Sequence, residues 1–422
     1  MVSLYFVKFP LAERVRTFKR PIQAAFIGLG ESAEAMLDGT LSRAQLPCYC
    51  RPKVKAPPIC VNVFCPYEEA LRYLEDRPGL KNFFSIRFSY GEWELSLEPM
   101  LKTSWGILIF QELKETSCFS RSFWNDNLSR KLNYAFVSLN NYDWNCAVVR
   151  IIAKVRKHAA IHVAKPTNLP MDVEELYETS CRNGNRSVPN FGVYSPRDNV
   201  KLPEYLVDAA RRVDDLWMKI GAKCDVNRNA RDLAAPENRF YRDASLGCVS
   251  SLPDVLLSMN PSWIFDYING DNRKIADEYR KMLASDPIAE ECMIMALHRR
   301  SDVQKLCRGW SPTNDVKKAA KNGSMKNMTT LEHVGITSSR LGSLLSKLDA
   351  RKYFMDGKAS NYEWSKLDWQ DRMNVRFNRL YAREADVSPM DLPIIKENDR
   401  LVARNIPYIL TGDDELFVPQ TL

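Results

Sequence analysis

The chain has 422 residues, of which 45% are apolar and 27% charged, and carries a net charge of +8. That length and balance exclude wholesale disorder and leave room for two or three domains, each with a core of its own. Glycine is scarce, at 17 residues, which argues against glycine-rich propellers and barrels and favours helix, while the positive charge suits an anionic partner without demanding one.

The first residues, Met1 to Arg20, do not read as a secretory signal. Their apolar run is broken by Lys8 and Pro10 and followed by Glu13 and Arg14. The eleven cysteines are odd in number and scattered; they read as reduced thiols of a cytosolic or nuclear protein, or of a virion if the source is viral. No stretch approaches the ~18 apolar residues of a membrane span. The nearest, Leu246 to Phe265, contains Asp254, Pro253, Pro261 and several serines. No membrane is expected.

Residues 1–165 predict an α/β domain with a small sheet. Ser3 to Phe9 and Ile59 to Phe64 have strand composition, and Ala24 to Ile27 is a short apolar run. It leads into Gly28-Leu29-Gly30-Glu31-Ser32-Ala33, which fits the G-x-G-x-x-A pattern of a phosphate-approaching turn. The acid expected about 20 residues on is missing at Pro47 to Cys50. The plainer reading is a strand-to-helix turn with Ser32 as N-cap. Glu31 to Leu37 and Tyr67 to Leu74 predict helices. Asn82 to Leu97 predicts a hairpin turning at Gly91-Glu92, and Trp105 to Phe110 a further strand.

Three groups in this half have ligand chemistry. Cys48, Cys50, Cys60 and Cys65 offer four thiols, but in C-x-C and C-x4-C spacing, and buried free cysteine is the commoner fate. His158 and His162 would share a face on a helix, although Arg156 and Lys157 would repel a cation. Glu112-Leu113-Lys114 resembles the E-x-K half of the P-D…E-x-K metal-dependent nucleases, a resemblance that implies Mg²⁺-assisted phosphodiester hydrolysis. The only Pro-Asp pair, Pro253-Asp254, lies far downstream. No nucleophile elbow or phosphate-binding P-loop is present, so neither a catalytic residue, a metal nor a cofactor is assigned.

Residues 166–203, with Pro166, Pro170, Pro189, Pro196 and Pro203, predict a long connection. Residues 204–384 predict a larger, mainly helical, basic domain, giving an α+β protein overall. Helices are expected at Tyr205 to Ile220, Ile275 to Leu283, Ile288 to His298 with Pro287 opening its first turn, Leu331 to Asp349 and Asn361 to Glu384. Residues 385–422 predict an extended tail whose apolar end offers self-association by strand addition.

Charge concentrates in this half. Arg299, Arg300, Lys305, Arg308, Lys317, Lys318, Lys321 and Lys326 face two Asp in that span. On the last expected helix, Arg372, Arg376, Arg379 and Arg383 recur at four, three and four residues, a single-sign stripe whose repulsion a polyanion would relieve. Trp369 stands beside it as a stacking surface for bases. The expected function is therefore that of a nucleic-acid-associated structural protein. It would coat or package RNA as a nucleoprotein or capsid subunit does, holding the phosphate backbone non-specifically through Arg299, Arg300, Arg308, Lys317, Lys318, Lys321, Trp369, Arg372, Arg376, Arg379 and Arg383. The competing readings are a metal-dependent nuclease, or another nucleic-acid-processing enzyme, in the first domain, and a scaffold subunit that binds no nucleic acid.

Overall fold

The computed structural model describes residues 22–46, 48–50, 53–55, 59–99, 105–139, 141–165, 190–192, 204–223, 239–308 and 397–412, with Phe6 and Leu11. Within them the chain is α+β and falls into two units. The first comprises Met1–Gln45 and Pro57–Lys201; the second comprises Leu46–Ala56 and Leu202–Leu422. The expected first domain, 1–165, is therefore interrupted, because Leu46–Ala56 belongs with the helical unit.

The sheet of the first unit is larger than its sequence implies. In chain order it contains β1 (Gln23–Ile27), β4 (Ile59–Phe64), β5 (Phe84–Tyr90), β6 (Trp93–Leu97), β7 (Gly106–Gln111), β8 (Tyr134–Val137) and β9 (Ala160–Lys165), and the short β10 (Asn190–Gly192) adds an eighth strand. In space the order is β10-β9-β8-β1-β4-β7-β5-β6. Every neighbouring pair is parallel except β5 with β6. The central strands are buried on both faces, so β8 is a continuous apolar run, Tyr-Ala-Phe-Val, with no alternation. The sequence of the edge hairpin alternates apolar and polar residues, and Gly91 takes φ +62 at its turn. Phe6, expected on a strand, is helical and buried.

Helices cover both faces. α1 (Glu31–Arg43) lies against β1 and β8, and α2 (Tyr67–Glu75) against β7. Arg77, just past α2, ties the two helices together. Its guanidinium donates at 2.9 Å to each carboxylate oxygen of Asp38 and at 3.3 Å to Glu34. It also stacks on the Tyr73 ring at 4.0 Å, and the Tyr73 hydroxyl donates to Asp38 at 2.8 Å. After the single turn α3 (Glu115–Cys118), α4 (Arg121–Asn127) and α5 (Tyr142–Val155) close the opposite face. Trp124, Leu128, Val148, Val149 and Ile152 pack there on Ala25, Ile27, Phe64, Ala135 and Val137. Buried Arg156 fixes the joint behind them, donating to the carbonyls of Ser129 and Asn125 at 2.8 Å each and to that of Leu128.

The second unit is helical: α6 (Glu204–Lys223), α7 (Arg239–Met259), α8 (Ile264–Ile268), α9 (Asn272–Ser285), α10 (Pro287–Leu306), α11 (Glu397–Arg404) and α12 (Ile406–Thr411). It also holds the antiparallel hairpin of β2 (Cys48–Cys50) and β3 (Lys53–Lys55), which meets α7 and α10. Pro287 is the first residue of α10, where its missing N–H costs nothing. α7 carries Pro253 in its interior and is buried along most of its length. Within the expected extended tail, 385–422, the described residues 397–412 are helical, forming α11 and α12. The Tyr279 hydroxyl donates to the Ala403 carbonyl at 2.9 Å, Arg404 pairs with Glu290, and Arg212 caps α12 by donating to the Ile409 carbonyl at 2.9 and 3.0 Å.

Candidate ligand site at the strand-order reversal

The order of strands reverses beside β1. From β1 the chain crosses through α1 to β4 on one side; β8, on the other side, is reached only after the hairpin and β7. In open parallel sheets, the carboxyl ends at such a reversal frame a crevice, because the flanking connections depart in opposite directions. Here those ends are Gly28 after β1 and Ser138 after β8.

Gly28 is held tightly. Its N–H donates to the Phe64 carbonyl at 2.8 Å, its φ is +85, and a Cβ built on it would meet the Ser138 carbonyl oxygen at 2.2 Å. The turn therefore requires glycine for both conformation and space. Leu29 is fully buried. Gly30, not Ser32, is the N-cap of α1 and offers no capping side chain, so the first turn of the helix is left to Glu31 and Glu34. Beyond Ser138, Asn145 is buried and holds Leu139 in both directions, accepting from its N–H at 2.8 Å and donating to its carbonyl at 3.0 Å. Asn141 caps α5 by accepting from the Trp144 N–H at 3.1 Å.

The missing acid of the glycine pattern has an address. The second parallel strand is β4, displaced along the sequence by Leu46–Ala56. After its end at Phe64 come Cys65, Pro66, Tyr67, Glu68 and Glu69. The Glu69 carboxylate lies close to the Leu29 N–H. Partial burial raises its pKa, while Arg72 and the Leu29 backbone pull it back. An acid thus occupies the position in which a pyrophosphate oxygen would be cradled by the turn. Farther along the same edge, Cys65 is buried, its thiol pushed up to about 12 by desolvation, with Sγ 3.7 Å from the Tyr90 hydroxyl. Glu112 and Lys114 follow β7 and pair with each other at 3.4 Å.

The remaining expected groups disperse. His162 lies on β9, buried and 4.8 Å ring to ring from Tyr134, while His158 sits in the turn before it; no helix joins them. Cys48 and Cys50 belong to the second unit, and Cys60 and Cys65 to the first. Among the described residues no three His, Cys, Asp or Glu side chains converge on a metal position, and no helix is long and apolar enough to cross a membrane.

Of the expected phosphate-binding residues, Arg299 and Arg300 are buried in α10, where Met293, Ile294, Ala296, Leu297, Val303 and Leu306 are buried around them. Arg300 donates to Gln304 at 3.0 Å. Both differ from the solvent-facing role expected of them. Arg308, just past the end of α10, is exposed. Lys317, Lys318, Lys321, Trp369, Arg372, Arg376, Arg379 and Arg383 lie outside the described residues, as do the expected helices at 331–349 and 361–384 and the apolar chain end.

The sequence reading missed Glu69, Ser138 and Asn145. The signal for Glu69 was present in Cys-Pro-Tyr-Glu-Glu directly after a strand, but a fixed 20-residue offset pointed into the inserted hairpin. Comparison with known proteins adds no assignment: no protein family, no curated protein and no solved structure matches this chain.

Proposed function

We propose that the first unit binds a nucleoside-bearing small molecule that presents hydroxyls or positive charge, at the carboxyl ends of β1 and β8. The observation that carries this reading is the glycine turn at the reversal of strand order, with the Glu69 carboxylate beside its Leu29 N–H. The reversal supports a ligand crevice. The carboxylates of Glu31, Glu68 and Glu69 around it disfavour a pyrophosphate by like-charge repulsion, and a ribose diol or a cationic group suits them. Calorimetric titration of the full chain with S-adenosylmethionine, a cationic nucleoside, and with NAD and ATP tests it. The expected order is binding of the first, weakened about tenfold in Glu69→Gln through loss of a charged acceptor, and none of the polyphosphates. Preference for ATP or NAD, or no heat with any of the three, removes the reading.

The second reading is nucleic-acid association through the basic segment, RNA more than DNA, with coating or packaging in place of chemistry. It is favoured by charge: with buried Arg299 and Arg300 set aside, six Lys or Arg stand against two Asp from Ser301 to Lys326, followed by the Arg372 to Arg383 stripe. Changing Arg372, Arg376, Arg379 and Arg383 together to Gln is expected to weaken RNA binding and lower its salt slope by roughly three to four, with thermal stability unchanged. RNA affinity equal to wild type would exclude it. A nuclease activity would instead appear as Mg²⁺-dependent cleavage of labelled RNA that Glu112→Ala abolishes, and a scaffold would purify with a protein-like absorbance ratio and no bound nucleic acid.

A further inference from the structure

β6 ends the sheet, pairing only with β5 among the described strands. All five of its residues are exposed. Trp93, Leu95 and Leu97 share one face at 44%, 41% and 40% exposure, an apolar stripe on a strand whose outer backbone edge pairs with no described residue. The stripe rests on a fixed base. Trp93 packs edge-on against Tyr67 at 5.5 Å and lies 6.0 Å from Phe88, and Leu95 stands opposite Phe88 in the pairing with β5. Around it are Glu92, Glu94 and Glu98, and none of the three makes an ion pair among the described residues. Glu98 receives the hydroxyls of Ser85 and Ser96. In a chain of net charge +8, this edge is a local island of acid.

A second copy of the chain is a poor occupant. Two-fold antiparallel pairing keeps apolar residues opposite apolar ones only when the axis passes through a residue. An axis at Trp93 sets Glu92 against Glu94, one at Glu94 sets that residue against itself, one at Leu95 sets Glu92 against Glu98, and one at Ser96 sets Glu94 against Glu98. Each of these registers places like charges directly across the strands, which destabilises pairing; an axis at Leu97 avoids that but leaves Leu97 alone opposite an apolar residue of β6.

We infer that β6 is a docking edge for an extended segment of a partner protein that alternates apolar residues with Lys or Arg. Such a segment would add a ninth strand by backbone hydrogen bonding, laying its apolar side chains on Trp93, Leu95 and Leu97 and its cations against Glu92 and Glu94. The inference is independent of the crevice at β1 and β8.

The probe is a fluorescein-labelled seven-residue peptide alternating valine and lysine, titrated into the full chain by anisotropy, with a valine–glutamate peptide as its mirror in charge. The lysine peptide is expected to bind and the glutamate peptide not. Glu92→Lys with Glu94→Lys is expected to exchange the two preferences, each by at least about tenfold. Leu95→Lys, a change at an exposed position that circular dichroism checks for folding, is expected to abolish both. Failure of the wild type to bind the lysine peptide overturns the inference. So does binding that ignores either substitution, and so does a concentration-dependent dimer that Leu95→Lys dissolves.

Discussion

The Ser138 carbonyl oxygen stands 2.2 Å from the point that a Cβ on Gly28 would occupy. Two neighbouring parallel strands thus end in backbone-to-backbone contact, and nothing in that contact can yield as a flexible side chain would. Gly28→Ala is therefore expected to destabilise the first unit by more than the ~1–2 kcal/mol of the left-handed backbone alone. Urea denaturation monitored by circular dichroism measures it. Gly247→Ala is the milder comparison: its Cβ would meet only the end of the Gln304 side chain, at 2.6 Å, which can move at the expense of its hydrogen bond from Arg300. The gain in helix propensity, about 1 kcal/mol, offsets what remains.

Arg77 and Asp38 form the hinge pin between α1 and α2. Arg77→Ala leaves Asp38 and Glu34 facing each other with less compensation and removes the stacking on Tyr73. A loss of about 3 kcal/mol is expected. Arg77→Leu combined with Asp38→Leu is expected to recover much of that loss, because no charge is left stranded. A double-mutant cycle by chemical denaturation reads the coupling.

Cys65 is expected to be inert to alkylation. With its pKa raised from 9.0 to about 12, the thiolate at pH 8 is about a thousandfold scarcer than in a free thiol. Since the folded value lies above the unfolded one, this group's contribution to stability is complete below pH 9 and declines as pH rises toward 12. Iodoacetamide at pH 8, followed by peptide mapping, is expected to leave Cys65 unmodified in the folded chain and to label it in urea. Equal labelling in both states contradicts the burial.

Tyr279→Phe removes the single hydroxyl that reaches from α9 to the Ala403 carbonyl. A cost of about 1–2 kcal/mol is expected, since the carbonyl loses its donor in a dry setting. Hydrogen exchange is expected to rise in α11 before it rises in α9. Unchanged protection at Leu401 to Ala403 refutes that contact's role.

Legibility in the sequence followed local physics. The edge hairpin was readable because its β5 and β6 alternate around a glycine that must turn. The start of α10 was readable because proline is suited to a first helical position. β8 and β9 escaped, as strands buried on both faces carry no period of two and look like any short apolar run. α7 escaped because Pro253, Gly247 and its serines imitate a loop, while burial on most sides stabilises the helix regardless. The glycine turn was legible as a motif, but its acidic partner was not. The distance between them is set by a hairpin that the sequence gives no reason to skip.

That hairpin also has a temporal consequence. Leu46–Ala56 leaves the ribosome while the first unit is still incomplete, yet the helices it meets, α7 and α10, begin at Arg239 and Pro287, roughly 180 and 230 residues later. At ~5–20 residues per second, the segment waits on the order of ten seconds for its own neighbours. No single cut of the gene can separate the units; a stand-alone first unit has to be made by excising the loop and rejoining Gln45 to Pro57.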